Sequence, residues 1–461
     1  MSVFLQGVAA ALGVLVLVGS SRRPLRTIVP VYAFLVPIGG VFALRVPLPS
    51  PFNTLSSLTG ALAIGAVALH LVRERRGRIP TLPVGMWLAF VGWSAFTFVW
   101  AGDPTPVVHE LTIAIPLVAL LVLVGLLPGT REDLMRLRDA VVLSGAAVGG
   151  YGLLLTITGA ALPAHGFSSR FSLSAGDTNP NQLAASLLLP LVLSIDLALG
   201  EREIIAPWWR RWLGPVGAVL SAFAIALSGS RGGALAAVVG AVTVLVLFAR
   251  WRPWQRFRVR RAVRGVAAGS VALIVLAVIS LSLFPESRLS SLFESDPVQR
   301  LVETETGSSG RAEIWTTGAL ACREHCAVGA GLGNFTRVYT EVFAFSNVSR
   351  NVGLERPGHN LYLEIAVETG LVGIVLFFLA IGAEWRTIRS ARTFPLAAGI
   401  AAGVVALLVA DVFEGFLWFK HAWLPFVMIR VFEAAAAGSE RGARATVHPL
   451  RAPPSSEVAR T

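Results

Sequence analysis

ERPGHNLYLEIAVETGLVGIVLFFLAIG, residues Glu355 to Gly382, joins two kinds of sequence that rarely adjoin. Its second half is an unbroken apolar run of the kind that crosses a bilayer. Its first half carries His359, Asn360, Glu364 and Glu368, groups that hydrocarbon excludes unless they are satisfied. Pro357 and Gly358 break the chain, so a helix is expected to begin near His359 or Asn360. Asn360, Glu364 and Glu368 are then spaced i, i+4, i+8 and form one stripe. At about 1.5 Å per residue the stripe descends about 12 Å, with His359 at its mouth. A buried glutamate needs a cation partner or a proton, which directs attention to the arginines.

The rest of the chain is apolar on the same scale. Its 461 residues are 54% hydrophobic and 14% charged, with a mean hydropathy of +0.69. A soluble chain of this length would carry far more polar surface. Apolar runs of roughly 17–25 residues recur instead, the signature of bilayer spans. They fall near 3–19, 27–43, 54–72, 82–100, 107–127, 139–160, 181–199, 213–229, 232–249, 266–284, 360–382, 396–414 and 416–433. The expected fold is an all-α polytopic membrane protein with about 12–13 transmembrane helices. The first run lacks a preceding basic residue and is followed by Arg22, Arg23 and Arg26, the reverse of a signal peptide, so it reads as a retained span.

The net charge of +12 is almost all arginine, Lys420 being the sole lysine. The arginines gather in alternate links such as SRRPLR, RERRGR and RWRPWQRFRVRR, and the intervening short links hold almost none. That is the positive-inside pattern of a membrane protein and not a nucleic-acid-binding stripe. The arginine-bearing links are therefore expected in the cytoplasm, with one long extracytoplasmic segment from Phe284 to Gly358. The organisation that follows is N-terminal spans over 1–165, core spans with the Arg231 turn over 166–284, a loop subdomain over 285–359, C-terminal spans over 360–433, and a disordered cytoplasmic tail over 434–461.

On the arginine-poor side, ALSGSRGGALA places Arg231 in a turn with almost no loop. It reads either as a snorkelling arginine at lipid headgroups or as a bidentate phosphate ligand, with Gly232 and Gly233 allowing close approach. Within the long loop, GRAEIWTTGALACREHC reads as a helix, and Arg311 at its start reads either as a solvated arginine or as part of an anion site. RFSLSAGDTNPNQLAA brings Arg170 to the next span; Asp177 or Asn179 can cap that helix, Pro180 suits its first position, and Asn181 is open to a substrate role. GAGLGN lacks the strand and helix of a phosphate loop and reads as a turn. Cys322 and Cys326 flank His325 without a fourth metal ligand, and read as two thiols or one disulfide.

Taken together and in this order, SGSRGGALA, SGRAEIW, GAGLGNF and HNLYLEIAVETGLVG resemble the O-antigen ligase / O-antigen polymerase family of bacterial membrane glycosyltransferases, from roughly Arg170 to Phe416. The resemblance implies a glycosyltransferase C-like helical fold in the inner membrane. It implies transfer of a glycan from an undecaprenyl-diphosphate carrier to an acceptor hydroxyl on a glycan, lipid or protein, at the extracytoplasmic face. His359, Arg231 and Arg311 match the family's loop-end histidine, turn arginine and loop arginine, and stand as the catalytic candidates. Arg170, Asn181, Asn360 and Glu364 are the substrate-binding candidates, with Glu364 also able to orient His359. No carboxylate cluster suits a divalent ion, so metal-independent, cofactor-free transfer is expected. A polymerase, an O-linked protein glycosyltransferase and, from another class, a polysaccharide transporter are the alternatives. Glu368 stays unassigned between function and structural pairing.

Overall fold

The computed structural model describes residues 13–38, 54–75, 77–158, 171, 179–200, 208–260, 310–344 and 354–447. Arg170, the expected span at 266–284 and much of the long loop lie outside them. After a helical stretch at 13–20, the helices are α1 (Ile28–Ile38), α2 (Leu55–Glu74), α3 (Leu82–Phe96), α4 (Pro104–Leu126), α5 (Arg131–Thr158), α6 (Pro180–Ser186), α7 (Leu188–Leu199), α8 (Trp208–Leu227) and α9 (Arg231–Trp251). The loop contributes α10 (Arg311–His325) and α11 (Phe335–Phe343), and the C-terminal part contributes α12 (Leu361–Ser390), α13 (Ala397–Ala410) and α14 (Lys420–Val447). Among the described residues there is no sheet, and seven helical segments are long and apolar enough to span a membrane. The protein is an all-helical polytopic membrane protein.

The surface agrees with a bilayer as solvent. On α9, Leu235, Val238, Val242 and Val246 are each about half exposed at helical spacing, while Ala236, Gly240 and Val244 are buried. The outward stripe is thus branched and apolar, and the inward stripe is small. Small residues let α9 pack closely on α13, a helix made mostly of Ala, Gly and Val. Helix α12 repeats the arrangement, presenting Leu371, Val375, Phe378 and Leu379 outward and packing against α3. Trp87, Phe377, Trp423 and Phe426 close the core between α3, α12 and α14.

That core also encloses charge. Arg430 and Glu384 have fully buried side chains and form an ion pair. The Trp87 indole N–H donates to Glu384 at 3.2 Å, and Arg430 also donates to Thr81 at 2.6 Å and to Glu433 at 2.9 Å. Such a pair persists in an apolar interior only when further hydrogen bonds satisfy it.

Two expectations need correction. The segment from Ala434 on is not disordered at its start: α14 runs to Val447. Alanine is the best helix former, and Ala434 to Ala436 are buried where Gly129 packs closely on Ala434. The residues beyond Val447 lie outside the described part. The apolar runs also understate helix length, since α5 begins at Arg131 and α12 continues to Ser390; arginine-rich turns extend a helix without lengthening its apolar run.

Helix α12 is not continuous. Gly370 has φ 70° and ψ −169°, a conformation open essentially only to glycine. The break frees backbone carbonyls that a bilayer cannot satisfy, and the loop and α3 supply the donors. Ala330 N–H bonds Val367 O at 2.8 Å and Gly331 N–H bonds Glu368 O at 2.9 Å. The Trp93 indole takes Thr369 O at 2.7 Å. The AVGAGLGNF turn thus plugs the break, and Gly329 and Gly331, both at positive φ, allow the approach. A Cβ on Gly329 would lie 2.4 Å from Glu368 O. Glu368 belongs to this docking, accepting the N–H groups of Gly333 and Phe335 and so capping α11.

Candidate active site

His359 stands just before α12, in left-handed backbone with φ 46°. A non-glycine residue there is strained by about 1–2 kcal/mol, and its neighbours hold it in place. Asn360 caps α12, its Oδ1 accepting from Leu363 N–H at 3.1 Å. Glu364, one turn further on, accepts the backbone N–H groups of Gly358 and His359. Gly358 must be small for this, because a Cβ on it would sit 2.8 Å from Glu364 Cγ. The expected polar stripe is therefore not a single cleft lining. Asn360, Glu364 and Glu368 lie on the helix as spaced, but each serves a different piece of backbone.

The imidazole finds another partner. Nδ1 of His359 lies 2.5 Å from Oε1 of Glu414, in the link between α13 and α14. Oε2 of the same carboxylate accepts from Asn181 Nδ2 at 3.1 Å and lies 3.7 Å from Arg311 Nη2. Helices α6, α10, α12 and the α13–α14 link thus converge on one carboxylate. Glu414 was not singled out as a site residue by the sequence; its only signal was a carboxylate at the expected arginine-poor end of a span. The His359 orienting partner is Glu414 at the ring and Glu364 at the backbone.

Each contributor is positioned by ordinary local rules. Asn179 caps α6, accepting from Asn181 N–H at 2.9 Å, with Pro180 at the first position; Asp177 lies outside the described residues. Arg311 opens α10 after Gly310, which sits at φ 76°, and the Trp315 indole donates to Gly358 O at 3.1 Å. That bond ties the loop helix to the His359 turn. Arg231 opens α9 behind its Ser230 cap, which accepts from Gly233 N–H at 3.1 Å.

Arg231, Arg311, Asn181 and Glu414 line one cavity of about 30 Å³, enough for about one water. Arg231 itself is exposed. Gly232 and Gly233 line the same cavity, and each also lies close against its walls. A Cβ on Gly232 would lie 2.8 Å from Phe413, and one on Gly233 would lie 2.5 Å from Ala184, so the glycines draw α9 against the site's own walls. The link after α13 is anchored in turn by Leu361 N–H to Asp411 O at 2.9 Å and by Phe416 N–H to Asp411 Oδ1 at 3.1 Å.

This arrangement offers a histidine whose Nδ1 is bonded to a carboxylate. In the neutral ring the proton sits on Nδ1 and leaves Nε2 as the acceptor. Beside it lie two guanidinium groups suited to phosphate oxygens. Cys322, in the last turn of α10, and Cys326, its C-cap, form a disulfide, which answers the choice between thiols and a bridge.

Residues 216–378 match the family model described as O-antigen ligase. The match spans α8 to the middle of α12 and takes in Arg231, Arg311 and His359; Asn181 and Glu414 lie beyond its ends. No curated protein matches the chain. The match is consistent with the O-antigen ligase/polymerase family and supports a membrane glycan-transfer function.

Proposed function

We propose that the protein transfers a glycan from an undecaprenyl-diphosphate carrier to an acceptor hydroxyl, at the extracytoplasmic face of the bacterial plasma membrane and without a metal. The observation that carries this reading is the convergence of His359, Asn181 and Arg311 on Glu414, with Arg231 on the wall of the same cavity. His359 Nε2 takes the proton of the acceptor hydroxyl as its oxygen attacks the anomeric carbon. The bond from that carbon to the diphosphate breaks, and undecaprenyl diphosphate leaves. Arg231 and Arg311 bear the charge that develops on it. Arg311 is held by Glu414 beforehand, so the diphosphate replaces one anionic partner with another. Asn181 fixes the second carboxylate oxygen, and Asn360 and Glu364 act by holding the His359 turn. The arginine asymmetry of the links and the disulfide on α10 support the extracytoplasmic assignment.

The test uses the purified full-length protein with a lipid-diphosphate-linked glycan. His359→Ala is expected to slow transfer by roughly 10²–10⁴, and transfer at the wild-type rate would overturn its role. Arg231→Lys keeps the charge but loses the planar fork; undiminished activity would count against bidentate phosphate binding. Product growing in ladder steps would mark a polymerase, and a single conjugate would mark a ligase or protein glycosyltransferase.

A further inference from the structure

A larger cavity, of about 290 Å³, lies between the start of α1, the C-terminal ends of α2 and α4, and the first turn of α5. Arg22, Arg23, Arg26, His70 and Asp133 are among the residues that line it. Its charges are unequal. Arg26 is already paired, through Nε to Asp133 at 2.9 Å and through Nη2 to Glu132 at 3.1 Å. Glu132 is shared with Arg136. Among the described residues, the side chains of Arg22 and Arg23 make no hydrogen bond or ion pair. His70 is fixed by Nδ1, which lies 2.8 Å from Ser21 O, and Arg73 is fixed on Ser21 Oγ at 2.7 Å. The cavity is therefore built by bonded groups and walled by two unbonded cations.

Its surroundings are those of a membrane boundary. Val14, Leu15, Val16 and Val18, on the helical stretch just before Arg22, are all substantially exposed, as is Val72 beside His70. An apolar outer surface thus meets a cationic recess, the arrangement that suits an acyl chain ending in a phosphate. The recess lies in the arginine-bearing class of links, away from Glu414 and the groups around it.

We infer that this recess binds a phosphate group, held by Arg22 and Arg23, and that an anionic phospholipid headgroup supplies it. The function is that of a bound lipid that fixes the junction of α1, α2 and α5. The inference does not depend on the transfer reaction.

Native mass spectrometry of the full-length protein released from nanodiscs tests it, with phosphatidylglycerol or phosphatidylcholine as the lipid and inorganic phosphate as a competitor. Retention of phosphatidylglycerol over phosphatidylcholine is expected. Arg22→Ala/Arg23→Ala should weaken retention on the order of 30-fold, at about 1 kcal/mol per arginine. Arg260→Ala, in another arginine-bearing link, should leave it unchanged. Displacement by millimolar inorganic phosphate with no lipid preference would support the phosphate site and overturn the lipid source. Unaltered retention in the double variant, or equal loss in Arg260→Ala, would overturn the site. Among the described residues the side chains of Arg22 and Arg23 bond nothing, so the double variant should keep the wild-type thermal midpoint in phosphatidylcholine; if it does not, the same lipid comparison on Arg22→Gln and Arg23→Gln singly decides.

Discussion

Replacing Glu414 by glutamine tests the centre of the proposed site with the least change in shape. The carboxylate accepts from His359 at 2.5 Å, and the two side chains are 14% and 25% exposed, so water competes only in part. A hydrogen bond to a charged group in such a setting is worth about 1.5–3 kcal/mol. If that bond acts in the transition state, Glu414→Gln should lower kcat roughly 10- to 150-fold. The amide can also donate to Nδ1, which would put the imidazole proton on Nε2 and leave no acceptor there, so the upper end is expected. Arg311 loses its carboxylate neighbour at 3.7 Å and stays free for a diphosphate, so KM for the donor should hold or fall. The measurement is steady-state release of undecaprenyl diphosphate by purified protein in nanodiscs. A kcat within about twofold of wild type would refute the dyad. A rise in KM together with a lower thermal midpoint would show Glu414 to be merely structural.

Other perturbations probe the frame. Gly370→Ala meets both a glycine-only conformation and a Cβ 2.5 Å from the Val328 carbonyl carbon; it should cost at least about 2–3 kcal/mol and open the loop to proteases, and an unchanged thermal midpoint would refute the docked turn. Arg430→Met strands Glu384 in the core and should cost about 3–5 kcal/mol, most of it recovered by adding Glu384→Leu; a stable single variant would contradict the buried pair. Cys322→Ser/Cys326→Ser removes a bridge between neighbouring turns of one helix, so stability should fall by at most about 2 kcal/mol. Its kcat should not move, because neither sulfur bonds a site residue; a large loss of activity would show that α10 depends on the bridge.

Much of the fold could be read directly, because bilayer spans announce themselves by composition, and the SGSR turn appears as the short link between α8 and α9. The identities of His359, Arg231 and Arg311 came from motifs, and the structure brings all three to one locality. What the sequence did not show was the hub. Glu414 is 55 residues from His359, with no motif around it, and only tertiary packing brings it near. Helical periodicity placed Glu364 on one stripe with Asn360 and Glu368, but His359 sits outside the helix in left-handed backbone, where that periodicity does not apply. Gly370 was hidden for the opposite reason. It lies inside an apolar run that reads as one helix, and its break becomes visible only with the loop that fills it. The glycines of GAGLGN were legible as a turn, and Glu368 found its role only once that turn was seen to rest on it.

The plugged break in α12 bears on how the chain is made. The turn that supplies its missing donors is translated before the helix that needs them. A nascent α12 entering lipid alone would expose the Val367, Glu368 and Thr369 carbonyls at a cost of a few kcal/mol each. The upper half of α12 therefore becomes comfortable in the bilayer only against an already folded loop. Membrane insertion of this helix and maturation of the preceding loop become one event, and a variant that delays loop folding should strand α12 as a substrate for membrane quality control.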